Sequence, residues 1–324
     1  MRIAINGFGR IGRTVLRQIL QHHPDIEVAL INDIAPRDTC AYLFQYDSVF
    51  GPYPGRVTAT EAALRIDDRT IPFGAGRDLA DLDLWDIDVL MDCTGTIQSR
   101  AHAARGLAAG ASNVLISGPC DEAPRTIVLG ANDHRLEDAQ IVSNASCTTN
   151  ALAPLLRALH DRFGVVRGHM TTVHCYTGSQ PMVDAPRGPF ARSRAGAVSM
   201  VPTTTSATHL IDLVLPEIAG RVTGAAVRVP VISVSAIDVT LQLDILPEGD
   251  FSRHLKTLAE ESDVLGYTED PCVSTDLRGR PDSLVIALPE TIVTGRQVRI
   301  FGWYDNEYGF SARMIDMARR MAAR

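Results

Sequence analysis

The first 33 residues combine a short apolar segment, a glycine-rich turn, a helical pattern and a second apolar segment. Residues 2–6 (RIAIN) suit a buried strand, and the following NGFGRIG places Gly7, Gly9 and Gly12 in the spacing G-x-G-x-x-G. The next segment, RTVLRQILQHH, has apolar residues at helical intervals, and the second apolar segment, IEVALIN, ends just before Asp33. This order of elements predicts a β-α-β unit that opens a doubly wound parallel sheet, the Rossmann arrangement.

Each residue of this unit has a physical role in binding a dinucleotide. Gly7 allows the tight turn, Gly9 lets the backbone approach a pyrophosphate, and Gly12 lets the helix pack close to the strand. The free N–H groups at the start of the helix attract phosphate. Asp33 follows Gly12 by 21 positions and can accept hydrogen bonds from ribose hydroxyls, while its charge repels a 2′-phosphate. The unit therefore predicts NAD as the cofactor, in preference to NADP.

Two further strand-and-turn patterns follow in the first half of the chain. WDIDVLMDCTG ends at Thr94 and Gly95, and SNVLISGP ends at Ser117 and Gly118. Ligands in doubly wound sheets collect at the carboxyl ends of the strands, so Thr94 and Ser117 are expected to face the cofactor. Ordinary turn chemistry explains the same two residues equally well.

Composition limits the other classes of function. The chain has 324 residues, 45% of them hydrophobic, which suffices for two domains. The net charge of −7 argues against nucleic-acid binding, and no segment has the pattern of a signal peptide or a membrane span. The six cysteines form no C-x-x-C pair and no zinc pattern with histidine, so we expect no metal and a reducing cytoplasm.

One cysteine has an unusual position. The segment SNASCTTN places Cys147 between an apolar run, AQIV, and a helical pattern, ALAPLLRALHDRF. Ser146 and Thr148 favour a helix start here, and the dipole of a helix N-terminus lowers the pKa of a thiol. A thiolate beside a nicotinamide suggests one reaction class: sulfur adds to an aldehyde, hydride leaves to the cofactor, and a thioester remains.

A thiol nucleophile needs a base, and histidine is the obvious residue type. Among nine histidines, His174 lies in the segment GHMTTVHCYTGSQ, whose alternation is typical of a strand in a second sheet. From the residues alone, a structural histidine at the end of a strand is an equally good interpretation of His174.

At this point the motifs carry a resemblance that spans essentially the whole chain. The segments NGFGRIGR, IND with YDSVFG, SNASCTTN, TVHCYT, VPTTT, GAAVRVP, GYTEDP and WYDNEYGFS occur in this order. The chain thereby resembles the phosphorylating glyceraldehyde-3-phosphate dehydrogenases. SNASCTTN and WYDNEYG are the most specific of these motifs.

The resemblance implies roles for individual residues. Cys147 would be the nucleophile and His174 its base. The positions implied for NAD binding are Gly7, Phe8, Gly9, Arg10, Ile11, Gly12, Asp33, Arg77, Thr94, Ser117 and Asn306. The positions implied for the substrate phosphate and for inorganic phosphate are Ser146, Thr148, Thr177, Arg192, Thr205, Ser206 and Arg228. The family also implies a homotetramer, a cytoplasmic location and a part in glycolysis.

Several departures from the family pattern lie near the implied anion positions. Thr177 is followed by Gly178-Ser179-Gln180, so that Ser179 replaces a carboxylate. The next segment, PRGPFARSR, contains Arg187 and no acidic residue. Ser206 replaces a glycine and His209 replaces a lysine. These changes leave the identity of the aldehyde and of the acceptor anion open.

Three hypotheses for the function therefore remain. The first is NAD-dependent phosphorylating oxidation of glyceraldehyde 3-phosphate to 1,3-bisphosphoglycerate. The second keeps this chemistry with erythrose 4-phosphate as the aldehyde or arsenate as the acceptor. The third is a non-catalytic redox sensor or scaffold. The expected domains are an NAD-binding domain of residues 1–147 with 309–324, and an α+β catalytic domain of residues 148–308 with a mostly antiparallel sheet.

Overall fold

A computed structural model describes residues 1–186 and 188–324. The chain forms two compact units. The first contains Met1–Ile127, His134–Ala145 and Ser311–Arg324, and the second contains Val128–Asp133 and Ser146–Phe310.

The first unit is built on a sheet that has nine strands among the described residues. These strands are β1 (Arg2–Asn6), β2 (Glu27–Asn32), β3 (Val57–Ala59), β4 (Ala63–Ile66), β5 (Arg69–Gly74), β6 (Val89–Asp92), β7 (Asn113–Ile116), β8 (Arg125–Thr126) and β9 (Ile141–Ser143). Their spatial order is β3-β4-β5-β2-β1-β6-β7-β9-β8. From β5 to β8 all neighbours are parallel, and β3 and β4 add an antiparallel edge. The chain order reverses beside β1, which is where doubly wound sheets bind their ligands.

Helices of the first unit follow its strands. They are α1 (Arg10–His22), α2 (Arg37–Gln45) and α3 (Arg100–Ala108). The apolar stripe of α1 is fully buried at Val15, Leu16 and Ile19, as the helical periodicity predicts. The last helix of the chain, α7 (Tyr308–Ala322), belongs to this unit from Ser311 onward, and its methionines Met314, Met317 and Met321 are buried core residues.

The second unit has a sheet with eight strands in the described part of the chain. They are β10 (Val165–Cys175), β11 (Val201–Thr203), β12 (Val222–Val229), β13 (Ser235–Leu243), β14 (Leu265–Thr268), β15 (Leu284–Ala287), β16 (Ile292–Thr294) and β17 (Gln297–Tyr304). The order is β11-β12-β10-β13-β17-β15-β14, and β16 pairs with β17. The pairs β10–β12 and β14–β15 are parallel and the other pairs are antiparallel. The expected fold class, a parallel sheet plus a mostly antiparallel one, is confirmed.

The segment AAVRVPVISVSAIDVTLQLDIL is rich in β-branched residues, but it does not form one continuous strand. Strand β12 ends at Val229, and β13 begins only at Ser235. Pro230 has no N–H to donate to a strand partner, and Val234 has a positive φ of 64°. The sequence therefore makes two strands with a turn between them.

Helices of the second unit are α4 (Cys147–Phe163), α5 (Ala207–Val214) and α6 (Phe251–Glu260). Helix α4 begins as predicted, because the Ser146 hydroxyl accepts the N–H of Thr149 at 3.1 Å and caps the helix. Its apolar stripe, which includes Leu152, Leu155 and Leu159, is fully buried. The cap fixes Cys147 as the first residue of a well-anchored helix.

Candidate active site

In the first unit the glycine-rich turn leaves no room for side chains at two positions. Gly7 has a φ of +90°, and a Cβ there would lie 2.7 Å from the backbone of Cys93 and Thr94. A Cβ on Gly12 would lie 2.1 Å from the carbonyl oxygen of Gly7. A Cβ on Gly9 would meet open space, so this part of the backbone is free to approach a ligand. The turn has the steric properties of a pyrophosphate-binding loop.

Asp33 is fixed by the backbone at the end of β2. One carboxylate oxygen accepts the N–H of Phe8 at 2.6 Å, and the other accepts the N–H of Ala35 at 2.8 Å. Each oxygen retains a further lone pair, which is what a ribose diol requires of a carboxylate at this position.

A cleft of about 340 Å³ opens between these two features within the first unit. It is lined by Gly7, Gly9, Asp33, Arg77 and Thr94, together with Asn6, Asn32, Ile34, Gly76, Asp78, Leu79, Cys93, Thr96 and His102. Five of the predicted cofactor residues therefore lie around one cavity. A helix N-terminus, a backbone free of side chains and a ribose-binding carboxylate fit a dinucleotide such as NAD.

Other predicted cofactor residues of the first unit lie outside the lining of this cleft. Phe8 is buried and stacks on Phe44 with ring centroids 5.8 Å apart. Arg10 forms an ion pair with Asp47. Ile11 is half-buried in the first turn of α1, and Ser117 donates its backbone N–H to the carbonyl of Asp92.

Sequence reasoning did not identify Asn32 as part of this site. Its side chain donates to the carbonyl oxygen of Gly76 at 2.9 Å and accepts the Gly76 N–H at 2.8 Å. It also donates to Asn6, whose own amide donates to the buried Asp92. Asn32 thereby holds the segment that carries Arg77. Its position beside Asp33, at the carboxyl end of a strand, was the available signal.

In the second unit, Cys147 and His174 meet. The Sγ atom of Cys147, in the first turn of α4, lies 3.6 Å from Nε2 of His174, which is near the end of β10. Cys147 is partly exposed, and His174 is 5% exposed. The geometry favours the interpretation of His174 as the base over that of a purely structural histidine.

The other ring nitrogen of His174 contacts two groups. Nδ1 lies 2.7 Å from the carbonyl oxygen of Cys175 and 2.7 Å from Nη1 of Arg228. Nη1 of Arg228 also donates to the same carbonyl at 2.9 Å. A ring that is protonated at Nδ1 donates to this carbonyl and presents the lone pair of Nε2 to the thiol, which is the tautomer that a general base requires. A guanidinium can only donate, so in this tautomer Nη1 of Arg228 bonds the Cys175 carbonyl and not Nδ1.

Burial controls the protonation of the pair. It lowers the pKa of His174 to about 4, and the positive charges of Arg228 and Arg192 act in the same direction. Burial raises the pKa of the Cys147 thiol, against the opposing effects of Arg228 and of hydrogen bonds from Thr148. The net direction is therefore opposite to the lowered pKa that the helix start predicts, because burial outweighs these opposing effects. Both shifts favour the uncharged forms, a thiol beside a neutral imidazole.

Two arginines near this pair have unused donors. The Nε atoms of Arg192 and Arg228 are buried and have no hydrogen-bond partner among the described residues. Arg228 lies on β12, paired in register with His174, and Arg192 lies in the 3₁₀ turn Phe190–Ser193. Unpaired guanidinium donors beside a thiol are suited to binding an anion.

The remaining predicted anion-binding residues differ in what their hydroxyls do. Thr177 bonds Ser179 at 2.9 Å, and Thr205 accepts the N–H of Ala207. Ser206 precedes α5 without capping it through its side chain. Thr148 is buried and bonds the hydroxyl of Tyr304 at 2.8 Å. The Ser146 hydroxyl caps α4, as described above, and Arg187 lies outside the described residues.

Tyr304 was not identified from the sequence. Its hydroxyl bonds both Thr148 and Thr172 at 2.8 Å, and its ring lies edge-on to His174 with centroids 6.0 Å apart. It therefore supports the helix residue after Cys147 and the imidazole simultaneously. Its place in the motif WYDNE was the only local signal.

Asn306 follows β17 and is 6% exposed. Its Oδ1 lies 3.2 Å from Sγ of Cys175 and 3.2 Å from Oγ of Ser235. These contacts place Asn306 in the second unit, beside the strand end that carries His174.

Two negative findings apply to residues 1–186 and 188–324. No group of three or more His, Cys, Asp or Glu side chains is arranged to hold a metal ion. No helix there has both the length and the apolar content needed to cross a membrane.

Comparison with known proteins gives a consistent result. Residues 1–100 match the family model "Glyceraldehyde 3-phosphate dehydrogenase, NAD binding domain", and residues 146–306 match "Glyceraldehyde 3-phosphate dehydrogenase, C-terminal domain". The chain is 45% identical to a glyceraldehyde-3-phosphate dehydrogenase of Pseudomonas aeruginosa, over 100% of this chain and 98% of that protein. It is 44% identical to that of Cereibacter sphaeroides, over 99% and 98%. It is 41% identical to glyceraldehyde-3-phosphate dehydrogenase 1 of Bacillus subtilis, also over 99% and 98%.

These matches cover both units and include the NAD cleft and the cysteine–histidine pair. The chain therefore belongs to the glyceraldehyde-3-phosphate dehydrogenase family and is an NAD-dependent oxidoreductase.

Proposed function

We propose that this protein oxidises glyceraldehyde 3-phosphate to 1,3-bisphosphoglycerate, with NAD as the hydride acceptor and inorganic phosphate as the second substrate. The observation that carries the proposal is the 3.6 Å separation between Cys147 Sγ and His174 Nε2, in a chain of this family. The pairing of a thiol with an imidazole base supports covalent aldehyde chemistry.

In the first step, Cys147 attacks the aldehyde carbon. Because burial favours the protonated thiol, the lone pair of His174 Nε2 takes its proton as the carbon–sulfur bond forms. The imidazolium passes this proton to the carbonyl oxygen, which becomes the hydroxyl of a thiohemiacetal, and the ring is neutral again. The imidazole then takes the proton of this hydroxyl as the carbon is oxidised to a thioester.

The cofactor is held by the residues of the first unit. Gly7 and Gly9 leave the backbone open to the pyrophosphate, Asp33 accepts the ribose hydroxyls, and Arg77 and Thr94 line the remainder of the cleft. NAD, when bound, supplies the acceptor for the hydride that leaves the thiohemiacetal carbon. We propose that Asn306 orients the carboxamide of its nicotinamide ring.

Anion binding is the role of the arginines. Arg228, with Thr177, would hold the phosphate of the substrate. Arg192, with Ser146, Thr148, Thr205 and Ser206, would hold inorganic phosphate. The unpaired Nε atoms of both arginines support this assignment, and the hydroxyl of Thr148 can donate to an anion when it accepts its hydrogen bond from Tyr304. An oxygen of phosphate attacks the thioester, and the thiolate of Cys147 leaves and regains its proton.

The test is NADH formation by the purified protein with glyceraldehyde 3-phosphate, measured with and without inorganic phosphate. Sustained turnover that requires phosphate supports the proposal. Matched assays use erythrose 4-phosphate as the aldehyde, or arsenate in place of phosphate. They determine which aldehyde and which acceptor anion the protein uses. No turnover with any phosphorylated aldehyde would overturn the proposal and favour a non-catalytic redox sensor or scaffold.

The homotetramer, the cytoplasmic location and the role in glycolysis remain predictions that follow from the family. We propose that the protein assembles as a homotetramer. A measurement of molar mass in solution would test this assembly, and a monomer at assay concentrations would contradict it.

A further inference from the structure

Two buried donors in the second unit point at one acceptor. The thiol of Cys175 lies 3.2 Å from Oδ1 of Asn306, and the hydroxyl of Ser235 lies 3.2 Å from the same oxygen. Cys175 and Ser235 are each 1% exposed, so neither group can exchange its hydrogen bond with bulk water. The catalytic steps proposed above use neither of them.

The chemistry of these donors determines which way the amide of Asn306 points. The Ser235 hydroxyl accepts the backbone N–H of Cys175 at 3.2 Å, so its own proton remains for Asn306. Burial raises the pKa of Cys175 to about 12, which keeps its sulfur protonated and a donor at neutral pH. Two donors directed at one end of an amide require that end to be the oxygen.

The opposite end of the amide is then a nitrogen. Nδ2 of Asn306 donates to no acceptor in the part of the chain that the structure describes, and it is not among the buried atoms that lack a partner. It is thus accessible to a ligand. An amide nitrogen can only donate, so the group it binds must be an acceptor such as a carbonyl oxygen.

We propose that Cys175 and Ser235 are positioning residues that hold Oδ1 of Asn306 inward and fix Nδ2 as a donor to the carbonyl oxygen of the nicotinamide carboxamide. This inference rests on the proposed function for the place of the nicotinamide. It adds the two residues that set the direction of this hydrogen bond. Because a carboxamide and an asparagine amide can pair in two ways, fixing one amide also selects the rotation of the other.

The first experiment measures the affinities of the full chain for NAD and for ADP-ribose, which lacks the nicotinamide ring, by calorimetry. We expect Cys175→Ala and Ser235→Ala each to weaken NAD binding about fivefold and to leave ADP-ribose binding unchanged. Cys175→Ser, which keeps a donor, should bind NAD within about twofold of the wild type. The control is Cys120→Ala, which removes another buried thiol and should change neither affinity.

The second experiment tests the direction of the hydrogen bond. The 3-acetylpyridine analogue of NAD keeps the carbonyl oxygen and lacks the NH₂ group. The wild type should bind this analogue within a few-fold of NAD if Nδ2 is the donor. A selective loss of about tenfold or more would mean that Oδ1 accepts from the NH₂ group, and the proposal would be wrong.

Two other outcomes also decide the matter. Equal losses of NAD and ADP-ribose affinity in the alanine variants would indicate a general structural role and overturn the positioning role. Unchanged NAD affinity in both variants would do the same. If the wild type binds and reduces NAD but these affinities contradict the positioning role, the proposed function remains intact. If the wild type binds neither NAD nor ADP-ribose, both the positioning role and the proposed function are wrong.

Discussion

Arg228 places Nη1 2.7 Å from Nδ1 of His174, so a guanidinium lies against the imidazole whose other nitrogen faces Cys147. A cation at this distance disfavours the protonated ring and adds to the effect of burial, which together lower the pKa of His174 to about 4. The base is consequently neutral, and able to accept a proton, throughout the physiological pH range.

Replacing this cation should change the titration of the base. In Arg228→Met we expect the pKa of His174 to rise from about 4 towards its ordinary value, because a repulsive charge is removed. In Arg228→Lys the pKa should remain low. The measurement is an NMR titration of the ring with labelled histidine, assigned by comparison with His174→Asn. If His174 has the same pKa in the Met and Lys variants, burial alone sets this pKa and the charge of Arg228 does not.

Removal of the nucleophile should separate chemistry from binding. Cys147→Ser should lower the turnover rate at least a thousandfold, since a hydroxyl is a much poorer nucleophile than sulfur at this pH. NAD affinity, measured by calorimetry, should stay within about twofold because the cleft of the first unit is unchanged. Cys272→Ser serves as the control and should retain full activity. Loss of NAD binding in the Cys147 variant would show that its role is misassigned.

Removal of the base should slow the acylation step. In His174→Asn we expect a decrease of about a hundredfold to ten-thousandfold in the rate of the first turnover. Alkylation of Cys147 by iodoacetamide should also slow at neutral pH. The alkylation rate should rise only at higher pH than in the wild type. Burial raises the pKa of the thiol, and Nε2 is no longer present to accept its proton. An alkylation rate that matches the wild type at every pH would contradict the pairing of these residues.

The carboxylate of Asp33 should control the choice of cofactor. Asp33→Asn keeps the shape and removes the charge, so repulsion of a 2′-phosphate is lost and the ratio of NADP to NAD affinity should rise about tenfold or more. NAD affinity itself should fall, because an amide accepts ribose hydrogen bonds through one oxygen only. The exposed Asp68→Asn provides the control. An unchanged preference would mean that Asp33 does not meet the ribose.

The first unit could be predicted well from the sequence because its signals are local. Strand β1, the three glycines and helix α1 are consecutive, and each is recognisable from its own residues. The start of α4 at Cys147 is equally local, since Ser146 both predicts and forms the cap.

The surroundings of the reactive pair depend on strand register, which no local pattern specifies. Strand β13 pairs with both β10 and β17, and the register sets Ala236 opposite Val173 and Ser235 opposite Tyr304. These pairings bring together side chains that are far apart in the chain, such as Cys175 and Asn306.

The sequence by itself determined the fold class and the cofactor, because these depend on short motifs and on neighbouring elements, and it supplied Cys147 and His174 as candidates for the two reacting side chains. Only the tertiary structure decided the direction of the pKa shifts of Cys147 and His174 and the contacts that Asn306 makes. Both follow from desolvation and from hydrogen bonds between distant strands, and the free energy of a buried charge or donor is set by everything packed around it rather than by its neighbours in the chain.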